Sequence, residues 1–259
     1  MAELIEISEF NKNFADELKV RPEIHSLDFV YHYLQRKWHG DRDRAVINYY
    51  NIGKYGANLT KEVVSEVSRI KERVKEDWKP KRILDFASGY GNSSRHLQHF
   101  FPELEISSCD IHGPAVEFNQ QVLGVQSYLS ATNPESLDVP QHDIIVAMSF
   151  FSHMPHSTFG RWLQALTRTL SPGGALIFTA NGYVTDKTGN TGIATNEKGF
   201  GFRAASEQHD LAGEQYGLTI SYPEYVFEQI KGCNGLRLSR FHEGLWWTTQ
   251  DTYVCIREG

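Results

Sequence analysis

The chain has 259 residues, 40% of them hydrophobic, with a formal net charge of −6 and a pI near 6.0; at roughly 150 residues per domain, that is one large domain or one domain with a lid. The acidic balance gives no general attraction to polyanions, which excludes nucleic acid as the main partner. Three cysteines, Cys109, Cys233 and Cys255, are too few and too scattered for a disulfide framework or a zinc site, so no metal is expected. No apolar run approaches the roughly 20 residues that span a bilayer, and Met-Ala-Glu-Leu-Ile-Glu lacks the basic and apolar regions of a signal peptide, so the chain reads as cytoplasmic, with no membrane insertion.

Residues 1–78 carry helical patterns and no clear strand. Leu27 to Gln35 reads as an amphipathic helix, and Val63, Val64, Val67, Ile70 and Val74 define one face of another from about Thr60 to Lys75. The charges between Lys61 and Arg82 then form its solvated face. Between the two lies Asn48-Tyr-Tyr-Asn-Ile-Gly-Lys-Tyr55, ending in a turn at Gly53. Two readings stay open there: Tyr49 and Tyr50 pack between helices, or they belong to a lid that covers a ligand and keeps water out.

Ile83 to Ala87 is a short apolar run of the kind that forms a buried parallel strand. A tight turn with Gly89 and Gly91 follows, where the backbone can approach a ligand closely, and Asn92 or Ser93 then caps a helix. Asp85 lies inside the strand, and a buried carboxylate there requires a polar partner. Ile106 to Asp110 predicts the next strand, ending in an acid about 20 residues past the glycines, where a ribose-binding acid belongs. The combination points to an adenosine-type ligand.

From residue 79 onward the pattern alternates strand and helix, the signature of a parallel sheet covered on both faces. Helices are predicted over Ser93–Phe101, Pro114–Leu123 and Thr158–Leu170, and strands over Val125–Leu129, Asp143–Ser149 and Ala175–Ala180. Residues 181–221, rich in Gly, Thr and Asn, interrupt that rhythm at the carboxyl end of a strand, where substrate-binding insertions occur. A helix over Pro223–Lys231 and a strand over Leu236–Phe241 come next, then a turn at His242-Glu-Gly and a return strand over Leu245–Ile256.

The spacing Asp85-x-Ala87-x-Gly89-x-Gly91 resembles motif I of the class I S-adenosylmethionine-dependent methyltransferases, with alanine in place of the first glycine. Phe150-Phe-Ser-His-Met-Pro after the fourth strand and Leu170-Ser-Pro-Gly-Gly-Ala-Leu-Ile after the next helix extend the resemblance over roughly Lys81 to Ala180. It implies an α/β fold: a doubly wound, Rossmann-like sheet of seven strands in the order 3-2-1-4-5-7-6, the last strand antiparallel. A core at 79–259 would carry an N-terminal helical lid at 1–78. It also implies S-adenosyl-L-methionine as cofactor, with S-adenosyl-L-homocysteine as product. The matching positions imply cofactor contacts from Asp85, Ala87, Ser88, Gly89, Tyr90 and Gly91, ribose contacts from Asp110 and Ile111, and an adenine edge at Ala131 and Thr132. Tyr50, Met148, Ser149 and Phe150 complete the expected set. An acid common at the adenine edge is missing here.

Methyl transfer from a sulfonium asks the protein chiefly to orient the reactants and exclude water, and a hydroxyl acceptor gains from a base within reach. His153, just past the fourth strand, is the candidate catalytic base, with Asp251, His112 and His156 behind it. Tyr49, Tyr183, Trp247, Gln250 and Asp251 are the expected acceptor contacts. The Trp246-Trp247…Gln250-Asp251 hairpin resembles methyltransferases found with glycan-building enzymes, which implies a sugar hydroxyl or another small molecule as acceptor. The nucleic-acid amino-methyltransferase signature is replaced by Ser149-Phe-Phe-Ser. A catalytically silent cofactor-binding subunit and an NAD-type oxidoreductase remain as alternatives.

Overall fold

A computed structural model describes residues 3–206, 208 and 210–259. Its sheet has seven strands in the order β3-β2-β1-β4-β5-β9-β8. They are β1 (Arg82–Phe86), β2 (Glu105–Asp110), β3 (Gln126–Leu129), β4 (His142–Ala147), β5 (Leu170–Ala180), β8 (Leu236–Trp246) and β9 (Gln250–Arg257). With the inserted β6 (Phe200–Arg203) and β7 (Leu218–Ser221) numbered in sequence, this is the expected 3-2-1-4-5-7-6 order, and β9 runs antiparallel to β5 and β8. The chain divides into two compact units, Met1–Ile70 with Lys81–Ser130, and Lys71–Pro80 with Ala131–Gly259.

In the first unit, β1 pairs parallel with β2, and β2 with β3. Helices α4 (Ser94–Phe100) and α5 (Gly113–Gln121) follow β1 and β2, and Pro114 sits at the first turn of α5, where its missing N–H costs nothing. The N-terminal helices α1 (Glu9–Glu17), α2 (Phe29–Lys37) and most of α3 (Arg42–Arg73) belong to this same unit. Ser8 and Asp28 cap α1 and α2 through their side chains. Contrary to the turn expected at Gly53, α3 runs unbroken for 32 residues. Glycine is needed there for contact: a Cβ would lie 2.1 Å from the Asn92 carbonyl oxygen and 2.6 Å from the His96 ring.

In the second unit, β4 pairs parallel with β5, whose far edge takes the β8–β9 hairpin. Its helices are α6 (His156–Arg168), α7 (Tyr183–Gly189) and α8 (Pro223–Lys231). The insertion at 181–221 forms α7 and a separate antiparallel ribbon of β6 and β7. The turn expected at His242-Glu-Gly is instead an irregularity inside β8, where Gly244 takes φ +61° and the register shifts; a bulge absorbs a left-handed residue without reversing the strand. The chain reverses one step later, at Trp247 and Thr248, both left-handed (φ 55° and 59°), with Thr249 N–H donating to the Trp246 carbonyl. All three cysteines are buried and free.

Candidate functional site

The first unit assembles its part around the β1–α4 turn. Ala87, Gly89 and Gly91 all take positive φ (57°, 53° and 71°), so the turn uses a left-handed conformation at an alanine as well as at the glycines. A Cβ on Gly89 would meet nothing within 4 Å, whereas one on Gly91 would lie 2.4 Å from Leu123 Cδ1. Gly89 thus borders open space and Gly91 packs against the layer behind. Asn119 of α5 holds the turn by donating to the Gly89 carbonyl at 3.0 Å.

Two carboxylates flank this turn. Asp85 is buried and accepts from Ser94 Oγ at 2.6 Å, the partner its burial requires. Burial, opposed by that hydrogen bond and reinforced by the nearby Asp110 charge, pushes its pKa up to about 7. Asp110 ends β2; its Oδ2 accepts from the Gly89 N–H at 2.7 Å, and its Oδ1 accepts from the His112 N–H and ring Nδ1 at 3.0 and 2.8 Å. Three donors occupy a group with about four acceptor positions, and Oδ2 is the oxygen with capacity to spare. Ile111, half-buried, follows it.

Tyr49 and Tyr50 both have no exposed surface. The Tyr49 hydroxyl donates to Asp28 Oδ2 at 2.7 Å, and that of Tyr50 donates to the Pro22 carbonyl at 2.6 Å. Their rings pack inside the helical layer, the first of the two readings their sequence left open. The residue that sequence reasoning missed here is Arg95, also buried. Its Nε donates to the Gly91 carbonyl, its Nη1 to the Arg21 and Glu23 carbonyls, and its Nη2 to the Tyr90 carbonyl and the Tyr49 hydroxyl. All five N–H groups are therefore committed, and one side chain ties residues 21–23 to the turn. An arginine in the first turn of a helix reads as solvated surface, so no pattern announces it.

The second unit gathers a different group. Ser149, left-handed at φ 56°, opens the segment after β4, and its N–H donates to Thr179 Oγ1 at 2.7 Å. Gln250 Oε1 accepts from Ser149 Oγ at 3.1 Å and from Thr179 Oγ1 at 2.8 Å, while its Nε2 donates to Asn181 Oδ1 at 3.1 Å. Gln250 therefore joins the ends of β4 and β5 to the start of β9. Asp251 beside it is fully buried and accepts from the Gly244 N–H at 2.8 Å; burial pushes its pKa up to about 6. Gly182 lies so close that a Cβ there would be 1.9 Å from Asp251 Oδ2.

His153 is held from the insertion. Its ring Nδ1 donates to the Gly217 carbonyl at 2.7 Å, Gly217 N–H donates back to the His153 carbonyl at 3.0 Å, and Tyr216 stacks on the imidazole with centroids 4.3 Å apart. Thr219 Oγ1 donates to the Met154 carbonyl at 2.7 Å. With Nδ1–H committed to a carbonyl, Nε2 is the basic nitrogen of the neutral ring. The segment leading into β7 thus fixes the ring's orientation.

The remaining predicted residues fall in varied surroundings. Phe150 packs edge-on against Phe151 and Trp162, and Met148 is half-buried. Ala131 and Thr132 sit in the segment after β3, half-exposed and exposed, while Tyr183 and Trp247 are among the exposed large side chains. His156 Nδ1 is hydrogen-bonded to the Tyr225 hydroxyl at 2.8 Å. Among the described residues no group of three or more His, Cys, Asp or Glu is placed to hold a metal ion.

Residues 84–176 match the family model for a methyltransferase domain. That stretch, about a third of the chain, is similar to methyltransferase domains. Over 101 residues it is 33% identical to trans-aconitate 2-methyltransferase of Methylobacterium nodulans (strain LMG 21967 / CNCM I-2342 / ORS 2060), a stretch covering 38% of this chain and 37% of that protein. The match therefore spans little more than a third of the relative's length. Similar solved structures include an S-adenosylmethionine-dependent methyltransferase from Clostridium acetobutylicum ATCC 824 (TM-score 0.53, 15% identity, 88% of this chain and 97% of that one). The plantazolicin methyltransferase BpumL in complex with SAH is another (TM-score 0.54, 14% identity, 96% and 100%). At such identities these likenesses show the fold.

The donor set at the motif I turn suits a ligand that bears both a cation and a diol. Asp85 is a buried acid with no cationic partner among the described residues, Asp110 Oδ2 has acceptor capacity to spare, and Gly89 leaves room beside them.

Proposed function

We propose that the protein transfers a methyl group from S-adenosyl-L-methionine to a hydroxyl of a sugar, glycan or other small molecule. The observation that carries the hydroxyl assignment is the Nδ1–H to Gly217 hydrogen bond, which makes Nε2 of His153 the basic nitrogen. Bound at the motif I turn, the cofactor supplies an electrophilic methyl group on a sulfonium. Asp85 neutralises the ammonium of its methionine arm, Asp110 accepts from a ribose hydroxyl, and the backbone of Ala87 to Gly91, with Ser88, Tyr90 and Ile111, shapes the nucleoside site. Ala131, Thr132, Met148, Ser149 and Phe150 are the further cofactor contacts of this reading. His153 Nε2 would take the acceptor's proton as the acceptor oxygen bonds to the methyl carbon and that carbon's bond to sulfur breaks, leaving S-adenosyl-L-homocysteine.

The acceptor contacts we assign are Tyr183, Trp247, Gln250 and Asp251. Left-handed non-glycine residues at Ser149, Trp247 and Thr248 lie next to Gln250 along the chain or across a hydrogen bond; strain of about 1–3 kcal/mol per residue concentrates where function requires it. Tyr49 and Tyr50, sealed inside the helical layer, act in this reading by bracing the turn. The curated relative is named for trans-aconitate, a carboxylate acceptor that would need cationic partners. The side chains hydrogen-bonded to Ser149 are Thr179, Gln250 and Ser152, and Gln250 in turn donates to Asn181; all are neutral, which favours a hydroxyl acceptor.

Radiolabelled methyl transfer across a panel of nucleotide-sugars, glycan fragments, phenols and trans-aconitate tests the assignment. Label is expected on a hydroxyl product in a manner that requires His153. Label on a carboxylate, or hydroxyl labelling that persists in His153→Ala, would overturn it. Cofactor binding with no turnover on any acceptor would point to a silent cofactor-binding subunit.

A further inference from the structure

The segment that Arg95 ties to the motif I turn ends in His25, which no motif marks. His25 is 6% exposed and stacks on Tyr90, the residue between Gly89 and Gly91, with ring centroids 4.4 Å apart at 18°. Phe118 of α5 closes on it edge-on at 5.4 Å. Pairing between Leu4 and His25, with Ile5 N–H donating to the Ile24 carbonyl and Ser26 N–H to the Glu3 carbonyl, fixes the backbone on either side. The ring is thus locked against the turn on two faces.

Its tautomer follows from its partners. The Leu27 N–H donates to Nδ1 at 3.1 Å, so in the neutral ring the proton resides on Nε2. Burial holds the ring below the ordinary histidine range, against the pull of Asp28 and Glu3, so the neutral form prevails at neutral pH. Nε2–H has no hydrogen-bond partner among the described residues. Beside the turn, then, stands a rigid, uncharged donor.

Electrostatics indicate what it meets. Two carboxylates, Asp85 and Asp110, border the turn, and an anion is repelled beside them. The Arg95 guanidinium, bonded to the Tyr90 and Gly91 carbonyls, brings positive charge to the turn but offers no free N–H, and the carboxylates of Asp28 and Glu3 act on His25 itself. An anionic group held at the turn therefore needs a neutral N–H donor from another residue. We propose that His25 is a further cofactor-contacting residue, donating from Nε2 to the carboxylate of the methionine arm. This rests on the reading that the motif I turn holds the cofactor.

Two ligands separate the possibilities: S-adenosylhomocysteine, which carries the carboxylate, and 5′-methylthioadenosine, the same thionucleoside without the amino-acid arm that bears it. His25→Phe keeps a ring on Tyr90 and removes the donor; His25→Gln removes the ring and restores an N–H. By calorimetry, His25→Phe should weaken S-adenosylhomocysteine about tenfold or more, as loss of a charge-assisted hydrogen bond implies, and leave 5′-methylthioadenosine within about twofold. His25→Gln should recover part of the loss. Equal weakening of both ligands would show that His25 only packs, and no change in either would show that it makes no contact; each overturns the proposal. If the wild-type protein binds neither ligand, the cofactor assignment itself fails, a result distinct from the other two.

Discussion

The motif I turn and the segment carrying His153 are built in opposite ways. Around the turn, the backbone and its acids are set close in sequence: Ala87, Gly89 and Gly91 shape the chain, Ser94 partners Asp85, and His112 partners Asp110, while Arg95 adds a brace from residues 21–23. The histidine depends instead on Gly217, and its loop on Gln250, residues 64 and 101 positions from their partners. A locally specified turn is readable from one stretch of chain. A site assembled over such separations exists only after the sheet and the insertion have folded, and its orientation can change by altering the insertion alone.

The sharpest test of this contrast is to strip the histidine and leave the turn. His153→Ala should reduce turnover by roughly 100-fold or more, the range for loss of a general base, while S-adenosylhomocysteine affinity measured by calorimetry stays within about twofold. A matched loss of cofactor affinity would mean that His153 serves the cofactor and not the acceptor's proton. The converse change strikes the turn. Gly91→Ala places a Cβ 2.4 Å from Leu123 Cδ1 and 2.6 Å from Asn119 Oδ1 at φ +71°. Left-handed strain and overpacking together should cost about 2–4 kcal/mol in denaturant unfolding. A loss below 1 kcal/mol would show that the turn adapts freely.

What was legible in the sequence follows the same division. The strand, its glycines and the acid ending β2 were readable because their spacing is set by one βαβ unit. Alternating strand and helix patterns pointed to a parallel sheet covered by helices, and the strand order came from the family resemblance. Gly53 was misread as a turn because a glycine needed for close approach inside α3 looks the same in one dimension as a glycine that breaks a helix. Tyr49 and Tyr50 carry no sign of which neighbour will bury them, and Arg95 gives none that five acceptors await it. The strand expected to end at Phe241 continues to Trp246 because a bulge at Gly244 substitutes for the anticipated turn. His153 was visible as a residue type, but its tautomer was not, since that depends on a carbonyl from the insertion.

The buried acid of the turn gives a pH test that the distant site does not share. With its pKa near 7, Asp85 is about one-tenth ionised at pH 6 and about nine-tenths at pH 8. A cationic ligand binds the ionised form, so affinity rises as pH rises through 7. The cofactor product should bind about tenfold more tightly at pH 8 than at pH 6. In Asp85→Asn binding should be weaker and that slope should vanish. A slope that survives the substitution would assign the titration to another group.

The smallest expected effect is also the most local. Ala87 is exposed and holds φ 57°, a conformation that costs an L-residue about 1–2 kcal/mol and glycine almost nothing. Glycine in turn adds about 0.5–1 kcal/mol of unfolded-state entropy to be lost on folding. The difference predicts that Ala87→Gly stabilises the protein by about 0.5–1 kcal/mol in denaturant unfolding, opposite in sign to Gly91→Ala in the same turn. Cofactor affinity should stay within about twofold, because the backbone shape is retained. Destabilisation by Ala87→Gly would mean that the alanine methyl makes a contact worth more than the strain it imposes, and the turn would then owe its shape to packing as much as to its own backbone.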